Sequence, residues 1–392
     1  MQSSNYWLDI CNLAAVFDQQ SIPYQFIEET ALMIQGVPVK LEEVAIEVQW
    51  DLVESVHGLF TPYGPTPIER TKDIGSFHFE MEGTSVRVKC VYNKAIRTDP
   101  FRIQLERDGL HYWCQSLYTK RRNPRYEEVI NQHLYDLQMR MTEQNQVAWN
   151  QNNYQALINR YGAPEEVADK IKQHPEGRLG SFYRYMEPVD GKKIAHLMGS
   201  NGIKGIALSL LGADVTVVDF SQENAAFAVE VAGAAGVNIQ YEVSDVLSFK
   251  GEGSEDLYDF VLMELGVLHY FINLEPLVRV IHRLLKPGGQ LVLHEFHPIS
   301  TKLITSKGKK HKVSGNYFDP MIENRQVAFS KYSSERESEK AQVLQRKWTL
   351  GELITAVADI GLVVKTLDEE PNQKVHDIGI PKLFTLVAQK PS

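Results

Sequence analysis

Residues 194–219 read IAHLMGSNGIKGIALSLLGADVTVVD. Ile194–Leu197 is a short apolar run, and Gly199 and Gly202 bracket a turn in which main chain can come close to a ligand. Ile203–Leu211 carries apolar residues at helical spacing, and Gly212 stops it. Val215–Val218 is a second apolar run, β-branched as buried parallel strands tend to be. Asp219 closes that run, 20 residues after Gly199. A doubly wound sheet places an acid there to accept hydrogen bonds from a ribose. The stretch predicts strand, glycine turn, helix, strand and acid, with a nucleoside-bearing cofactor across the first two strand ends.

The alternation continues downstream. Ser221 is positioned to cap a helix running to about Ala235, and Ile239–Val243 predicts a third strand ending at Ser244-Asp245-Val246. Tyr258–Met263 predicts a fourth, ending at Glu264, and Leu274–Leu285 a helix stopped by Pro287-Gly288-Gly289. Gln290–His294 predicts a fifth strand ending at Glu295. After a polar stretch come a helix at Gly351–Ile360 and strands at Val363–Leu367 and Phe384–Ala388. Such alternation predicts a parallel sheet covered on both faces.

Upstream, two short helices are expected over Tyr154–Tyr161 and from Pro164 to Gln173, then a polar-aromatic loop containing Arg178 and Tyr183. Tyr126–Asn150 is rich in Gln and Asn with apolar residues at rough helical spacing, which predicts a connecting helix. Arg121-Arg122-Asn123-Pro124 marks the boundary before it. The expected organisation is an α+β domain over 1–122, a connecting helix over 123–150 and an α/β domain over 151–392.

The chain has 392 residues, 43% hydrophobic and 23% charged, as expected of a soluble globular protein. It holds no apolar run of about 18 residues, so no membrane span is expected. The N-terminus lacks a secretory pattern. Cys11, Cys90 and Cys114 are far apart, without CxxC, and point to a reducing, cytoplasmic setting with neither disulfides nor a cysteine metal site. A formal net charge of −9 disfavours a long nucleic-acid footprint. Oligomeric state is not legible.

In the first block, Tyr6–Gln20 reads as a helix, and Val44–Val48, Phe77–Met81 and Val86–Val91 as strands, with a hairpin at Gly83-Thr84. Over Phe26–Val48 and Phe77–Val91 this block faintly resembles the nucleotidyltransferase fold of the DNA polymerase β type. Active members have Gly-Ser after the first strand, an acid-x-acid pair and a third acid. Here Glu29-Thr30, Glu43 with Ala45, and Arg87 stand at those places. Two-metal phosphoryl transfer needs carboxylates to hold the ions, so the resemblance implies an inactive domain; the alternative is a plain α+β domain.

The second domain resembles the class I S-adenosylmethionine-dependent methyltransferases. The matching pieces are HLMGSNG (196–202), VTVVDFS (215–221), SDV (244–246), LKPGG (285–289) and the two closing strands. It most resembles an uncharacterised bacterial subgroup with LLGSNG at the turn and acid-Phe-His-Pro after the fifth strand, here Glu295-Phe296-His297-Pro298. Most of the wider family has Asp where His196 stands and Gly where Met198 stands. The resemblance implies a Rossmann-like seven-stranded sheet and S-adenosylmethionine as cofactor. Gly199, Ser200, Asn201 and Gly202 would form the cofactor turn, Asp219 would take the ribose, and Phe220 would lie on the adenine, with Ser221 next to it. Asp245 would accept from the adenine amino group, with Val246 packing nearby. Glu264 and Leu265 would lie by the methionine end, and Arg178 by its carboxylate. Phe220 as core and Asp245 as a cap are the structural alternatives.

Methyl transfer is mostly positioning, with a general base needed only when the nucleophile starts protonated. His269, Tyr270, Glu295 and His297 follow strands four and five and are the candidate acceptor-side residues, each with a structural alternative. The expected acceptor pocket is lined by Tyr270 and His297. Lys302, Lys307, Lys309, Lys310 and Lys312 lie in a stretch that is either a lid or a solvated loop. No metal is expected, and the acceptor, a small molecule, is not identified. Two other classes stay open: a nicotinamide-dependent oxidoreductase, since Ser200-x-Gly202-x-x-Gly205 is one residue from the dinucleotide fingerprint, and a non-catalytic ligand sensor.

Overall fold

The computed structural model describes residues 3–107, 109–251, 253, 255–307, 310–332, 340–373 and 379–392. It divides into two compact units, one of residues 1–136 with 318–320, the other of 137–317 with 321–392.

The first unit holds α1 (Ser3–Gln19), β1 (Tyr24–Phe26), α2 (Glu28–Ile34), β2 (Val44–Val48), α3 (Val53–Leu59), β3 (Glu69–Arg70), β4 (Ile74–Met81), β5 (Thr84–Val91), β6 (Arg102–Arg107) and β7 (Leu110–Gln115). Its seven strands are ordered β3-β4-β5-β2-β1-β7-β6. The β4–β5 hairpin closes with Met81 opposite Thr84, and Glu82 and Gly83 between them have φ of 52° and 87°. That is the backbone a two-residue hairpin turn requires, and Gly83 supplies it without steric cost. Phe77, Phe79 and Met81 alternate into the core. Strands β6 and β7 were not expected from the sequence; their inward positions are few and polar residues flank them. Arg87, where the nucleotidyltransferase resemblance expects an acid, donates to Glu28 and, at 2.6 Å, to Glu43. Ala45 is buried, and its amide donates to the Thr30 hydroxyl.

The division between units falls inside α4 (Glu127–Trp149). The second unit continues with α5 (Asn153–Tyr161), α6 (Pro164–Gln173), β8 (Lys193–Leu197), α7 (Ile203–Leu210), β9 (Asp214–Asp219), α8 (Gln222–Ala235), β10 (Gln240–Val243), β11 (Tyr258–Glu264), α9 (Leu274–Leu284) and β12 (Leu285–Phe296). Then follow the hairpin β13 (Ile304–Lys307) and β14 (Lys310–Val313), the pair β15 (Ile322–Gln326) and β16 (Gln342–Arg346), α10 (Leu350–Asp359), β17 (Val363–Pro371) and β18 (Pro381–Gln389). The main sheet has seven strands ordered β10-β9-β8-β11-β12-β18-β17. This is the expected doubly wound, Rossmann-like α/β sheet, with one correction. It is mixed, because β18 runs antiparallel to both β12 and β17.

Both faces of the sheet are covered, which explains its continuous apolar runs. Ile194, Val217, Leu262 and Val292 point to one core, and Ala195, Val218, Met263 and Leu293 to the other. Helix boundaries follow the capping chemistry. The Ser221 hydroxyl accepts from the Asn224 amide at 3.2 Å, and Thr349 and Glu352 form a reciprocal capping box before α10. Pro287-Gly288-Gly289, expected as a turn ahead of the fifth strand, instead lies inside β12, where a register shift against β11 between Tyr258 and Phe260 absorbs it.

Candidate functional site

The strand order reverses between β8 and β11, and the carboxyl ends of these strands open onto a cavity of about 720 Å³. The turn after β8 forms its floor. Met198, Ser200 and Gly202 have φ of 53°, 47° and 69°, so the chain bends through three left-handed residues. The glycines there serve the chain's own packing. A Cβ on Gly199 would stand 2.7 Å from Val217 and 2.8 Å from His196, and one on Gly202 2.6 Å from Ala228. Gly199, Ser200 and Asn201 line the cavity, and so do Asp219, Phe220, Glu264, Leu265, His269, Tyr270 and Arg178.

Asp219 is buried at the end of β9, and its carboxylate accepts from the Ser200 amide at 3.1 Å, the Ser221 amide at 2.9 Å and the Asn224 side chain at 3.2 Å. Burial pushes its pKa up, and these donors pull it back down. Beside it the Ser200 hydroxyl is buried without a hydrogen-bond partner among the described residues, although Ser200 lines the cavity. A separate small cavity of about 10 Å³ is lined by residues that include Asp219, Phe220, Ser244, Asp245 and Val246. Asp245 also accepts from Ser248 at 3.3 Å, so it caps the turn that follows it. Ser221 is fully buried as the α8 cap, and neither it nor Gly202 is a lining residue.

On the opposite wall, Leu265 and Gly266 have φ of 46° and 85°, a bend that carries His269 and Tyr270 over the cavity. Glu295 fixes this bend. Its two oxygens accept from the amides of Gly266, Val267, Leu268 and Phe296 at 2.6–3.3 Å. It is therefore a positioning group that does not line the large cavity. His269 is kept neutral by burial and by the nearby Lys347 charge, which lower its pKa to about 4. The Tyr270 hydroxyl accepts from the Trp149 indole at 3.2 Å, and burial pushes its pKa up to about 12.

His297 does not meet its expectation. It is 1% exposed, its Nδ1 accepts from the Ile299 amide at 3.1 Å, and its Nε2 lies 2.7 Å from Glu369 Oε1. Both nitrogens are engaged away from the cavity, because the pairing of β17 with β18 brings Glu369 beside β12. The lysine-rich stretch forms the β13–β14 hairpin, with Lys302 buried and donating to the Lys347 carbonyl at 2.9 Å; Lys309 lies outside the described residues. None of its described lysines lines the cavity, whose outer wall is Arg325, Gln326, Ala328 and Phe329 with Gln345. Sequence reasoning missed that wall, and also Trp149, Tyr161 and Lys204. No cluster able to hold a metal ion occurs among the described residues, and no described helix is long and apolar enough to cross a membrane.

Residues 198–293, from the glycine turn to the core of β12, match the family model of a methyltransferase domain. No match was found among curated protein sequences. Among solved structures, this chain is similar to an S-adenosylmethionine-dependent methyltransferase from Mesorhizobium loti, at 21% identity and TM-score 0.43, covering 54% of this chain and 99% of that one. A second such protein, from Clostridium acetobutylicum, gives 14% identity and TM-score 0.42 over 55% and 92%. The glycopeptide N-methyltransferase MtfA, solved with S-adenosylmethionine, gives 15% identity and TM-score 0.37 over 54% and 91%.

Proposed function

We propose that this domain transfers a methyl group from S-adenosylmethionine, bound over the glycine turn, to a small-molecule acceptor that enters beside His269 and Tyr270. The observation that carries this is the convergence of the matched segment's chemistry on one cavity: the turn at 198–201, Asp219 and Phe220 on one wall, and Glu264–Gly266, His269 and Tyr270 on the other. Its size, about 720 Å³, is that of a ligand pocket. The residues fit the donor. Asp219 retains acceptor capacity beyond its three donors, the Ser200 hydroxyl lacks a partner among the described residues, and Phe220 and Asp245 both line a small neighbouring cavity.

When bound, S-adenosylmethionine supplies an electrophilic methyl group on a sulfonium. The protein then needs to exclude water and hold the acceptor's lone pair in line. Trp149, Tyr161, Phe296 and Phe329 provide apolar walls. His269, with a pKa near 4, is too weak a base to take a proton at neutral pH; it orients the acceptor through a hydrogen bond to its neutral imidazole. The Tyr270 phenol stays protonated and has its own hydrogen to donate.

The test is methyl transfer from labelled S-adenosylmethionine to panels of small phenols, amines, thiols and carboxylic acids. His269→Ala is expected to lower transfer at least tenfold while changing adenosylhomocysteine affinity less than threefold. Label appearing only in protein or nucleic acid would contradict the small-molecule assignment.

A further inference from the structure

A second cavity, of about 180 Å³, lies beside the carboxyl end of β12 and shares His269, Phe296 and Gln345 with the large one. Leu268, Pro298, Trp348, Leu353 and Phe384 give it an apolar lining. Trp348 is fixed in place. Its indole donates to the Leu268 and Phe271 carbonyls at 3.0 and 3.1 Å, and the Arg346 guanidinium lies 3.5 Å from the ring centre. The size suits a single aromatic ring, since a dry cavity of about 150 Å³ holds benzene.

The charged groups on this wall differ in what they already hold. Both oxygens of Glu295 are engaged by four main-chain amides. Lys347, just after β16, is 24% exposed, and its ammonium lies 3.0 Å from Glu323. Arg325 takes the same carboxylate at 2.6 Å, so two cations share one acid. The Lys302 ammonium donates to the Lys347 carbonyl and adds a further positive charge nearby. A ligand carboxylate would give Lys347 a charge-assisted partner of its own.

We infer that this cavity is the acceptor subsite, and that the acceptor is a single-ring aromatic carboxylate with an amine on the far side of the ring. The ring lies against Trp348 and Phe384, the carboxylate sits on the Lys347 ammonium, and the amine passes His269 into the large cavity. The inference rests on the donor assignment above. The amine nitrogen's lone pair forms the bond to the methyl carbon as the carbon–sulfur bond breaks. The electron pair of that broken bond stays on sulfur and leaves S-adenosylhomocysteine. The methylated nitrogen then releases its extra proton to solvent. An aromatic amine keeps its lone pair at neutral pH, so the step needs no base, in keeping with a His269 that takes no proton there.

The experiment is calorimetric titration of the full chain, saturated with S-adenosylhomocysteine, with para-aminobenzoate and with para-aminobenzamide, which keeps the ring and amine without the charge. Lys347→Met is expected to weaken the acid at least tenfold and to leave the amide within twofold. Thr301→Phe, which places a ring in the cavity, should weaken both at least tenfold. Adenosylhomocysteine affinity should stay within twofold in both variants, which also shows that they are folded. With labelled S-adenosylmethionine, the wild type should carry label to the nitrogen of para-aminobenzoate. A loaded wild type that does not bind the acid, a Lys347→Met variant that weakens acid and amide equally or neither, or an acid that binds without being methylated would overturn the inference and leave the donor assignment standing. Failure of adenosylhomocysteine to bind the wild type would overturn the donor assignment, and the inference with it.

Discussion

In the first unit, Arg87 bridges Glu28 and Glu43, and Lys94 bridges Glu47 and Asp99, so each of these two cations is shared by two carboxylates. In the second unit, Asp219 and Glu295 are held by main-chain amides, Asp219 also by the Asn224 side chain, with no ion pair to either among the described residues. The first arrangement ties the sheet of its own unit together. The second fixes a negative charge in place while leaving it unneutralised, which suits a group that must meet a ligand or shape the loop that does. Where an acid's partner is another side chain, the pair is a brace; where it is the backbone, the acid organises a site. Glu264, by contrast, pairs with the charged side chain of Lys204 and still lines the cavity.

The comparison is tested most severely at Glu295. Glu295→Ala leaves four amide donors without their acceptor, those of Val267 and Leu268 buried, an expected loss of about 3 kcal/mol or more, read as a fall of roughly 6–12 °C in the melting transition of the second unit. If that transition is unchanged, the bend at 265–270 is not held as described. Next is Arg87→Met, which leaves Glu28 and Glu43 facing each other; the expected cost is about 1.5–3 kcal/mol, with adenosylhomocysteine affinity unaltered. Given magnesium and labelled nucleoside triphosphates, neither the wild-type chain nor this variant is expected to transfer a nucleotide. Transfer by the wild type would show that the acids of the first unit form a site after all.

A pH dependence follows from the buried imidazoles. The unfolded chain protonates its histidines near 6.5, whereas folded His269 does so near 4 and His196 near 3. The unfolded state therefore binds more protons across that window. Stability is complete above about 6.5 and declines as pH falls towards 3. His269→Gln is expected to flatten the upper part of that decline in acid-unfolding curves, and an unchanged curve would place His269 in solvent. The smallest effect is expected from Lys307→Ala with Lys312→Ala on the β13–β14 hairpin, whose lysines do not line the cavity. Adenosylhomocysteine affinity should stay within twofold; a larger change would restore the lid.

Most of the second unit was legible because its signals are local. Buried strands announce themselves as β-branched runs, Ser221 marks a helix start by a short-range hydrogen bond, and the acid at 219 ends its strand. The site was legible only where it depends on those strand ends. Trp149, Arg325, Phe329 and Gln345 reach the cavity from distant parts of the chain, and nothing in their neighbourhoods distinguishes them from ordinary helix and strand positions. Lys204 sits at a plain helical position; its meaning comes from Glu264, 60 residues away. His297 was misplaced because its environment is set by the register of β17 on β18, a long-range pairing that residue spacing does not encode.

We propose the cavity over the glycine turn, organised by Asp219, as the donor site of a methyltransferase. The most direct measurement is calorimetric titration of the full chain with adenosylhomocysteine, using NAD as comparator and Asp219→Ala as the test variant. Loss of a charge-assisted contact is expected to cost about 1.5–3 kcal/mol. The wild type should bind adenosylhomocysteine and give no heat with NAD, and Asp219→Ala should weaken that binding at least tenfold. An unchanged dissociation constant in the variant, or binding of NAD in place of adenosylhomocysteine, would contradict the claim.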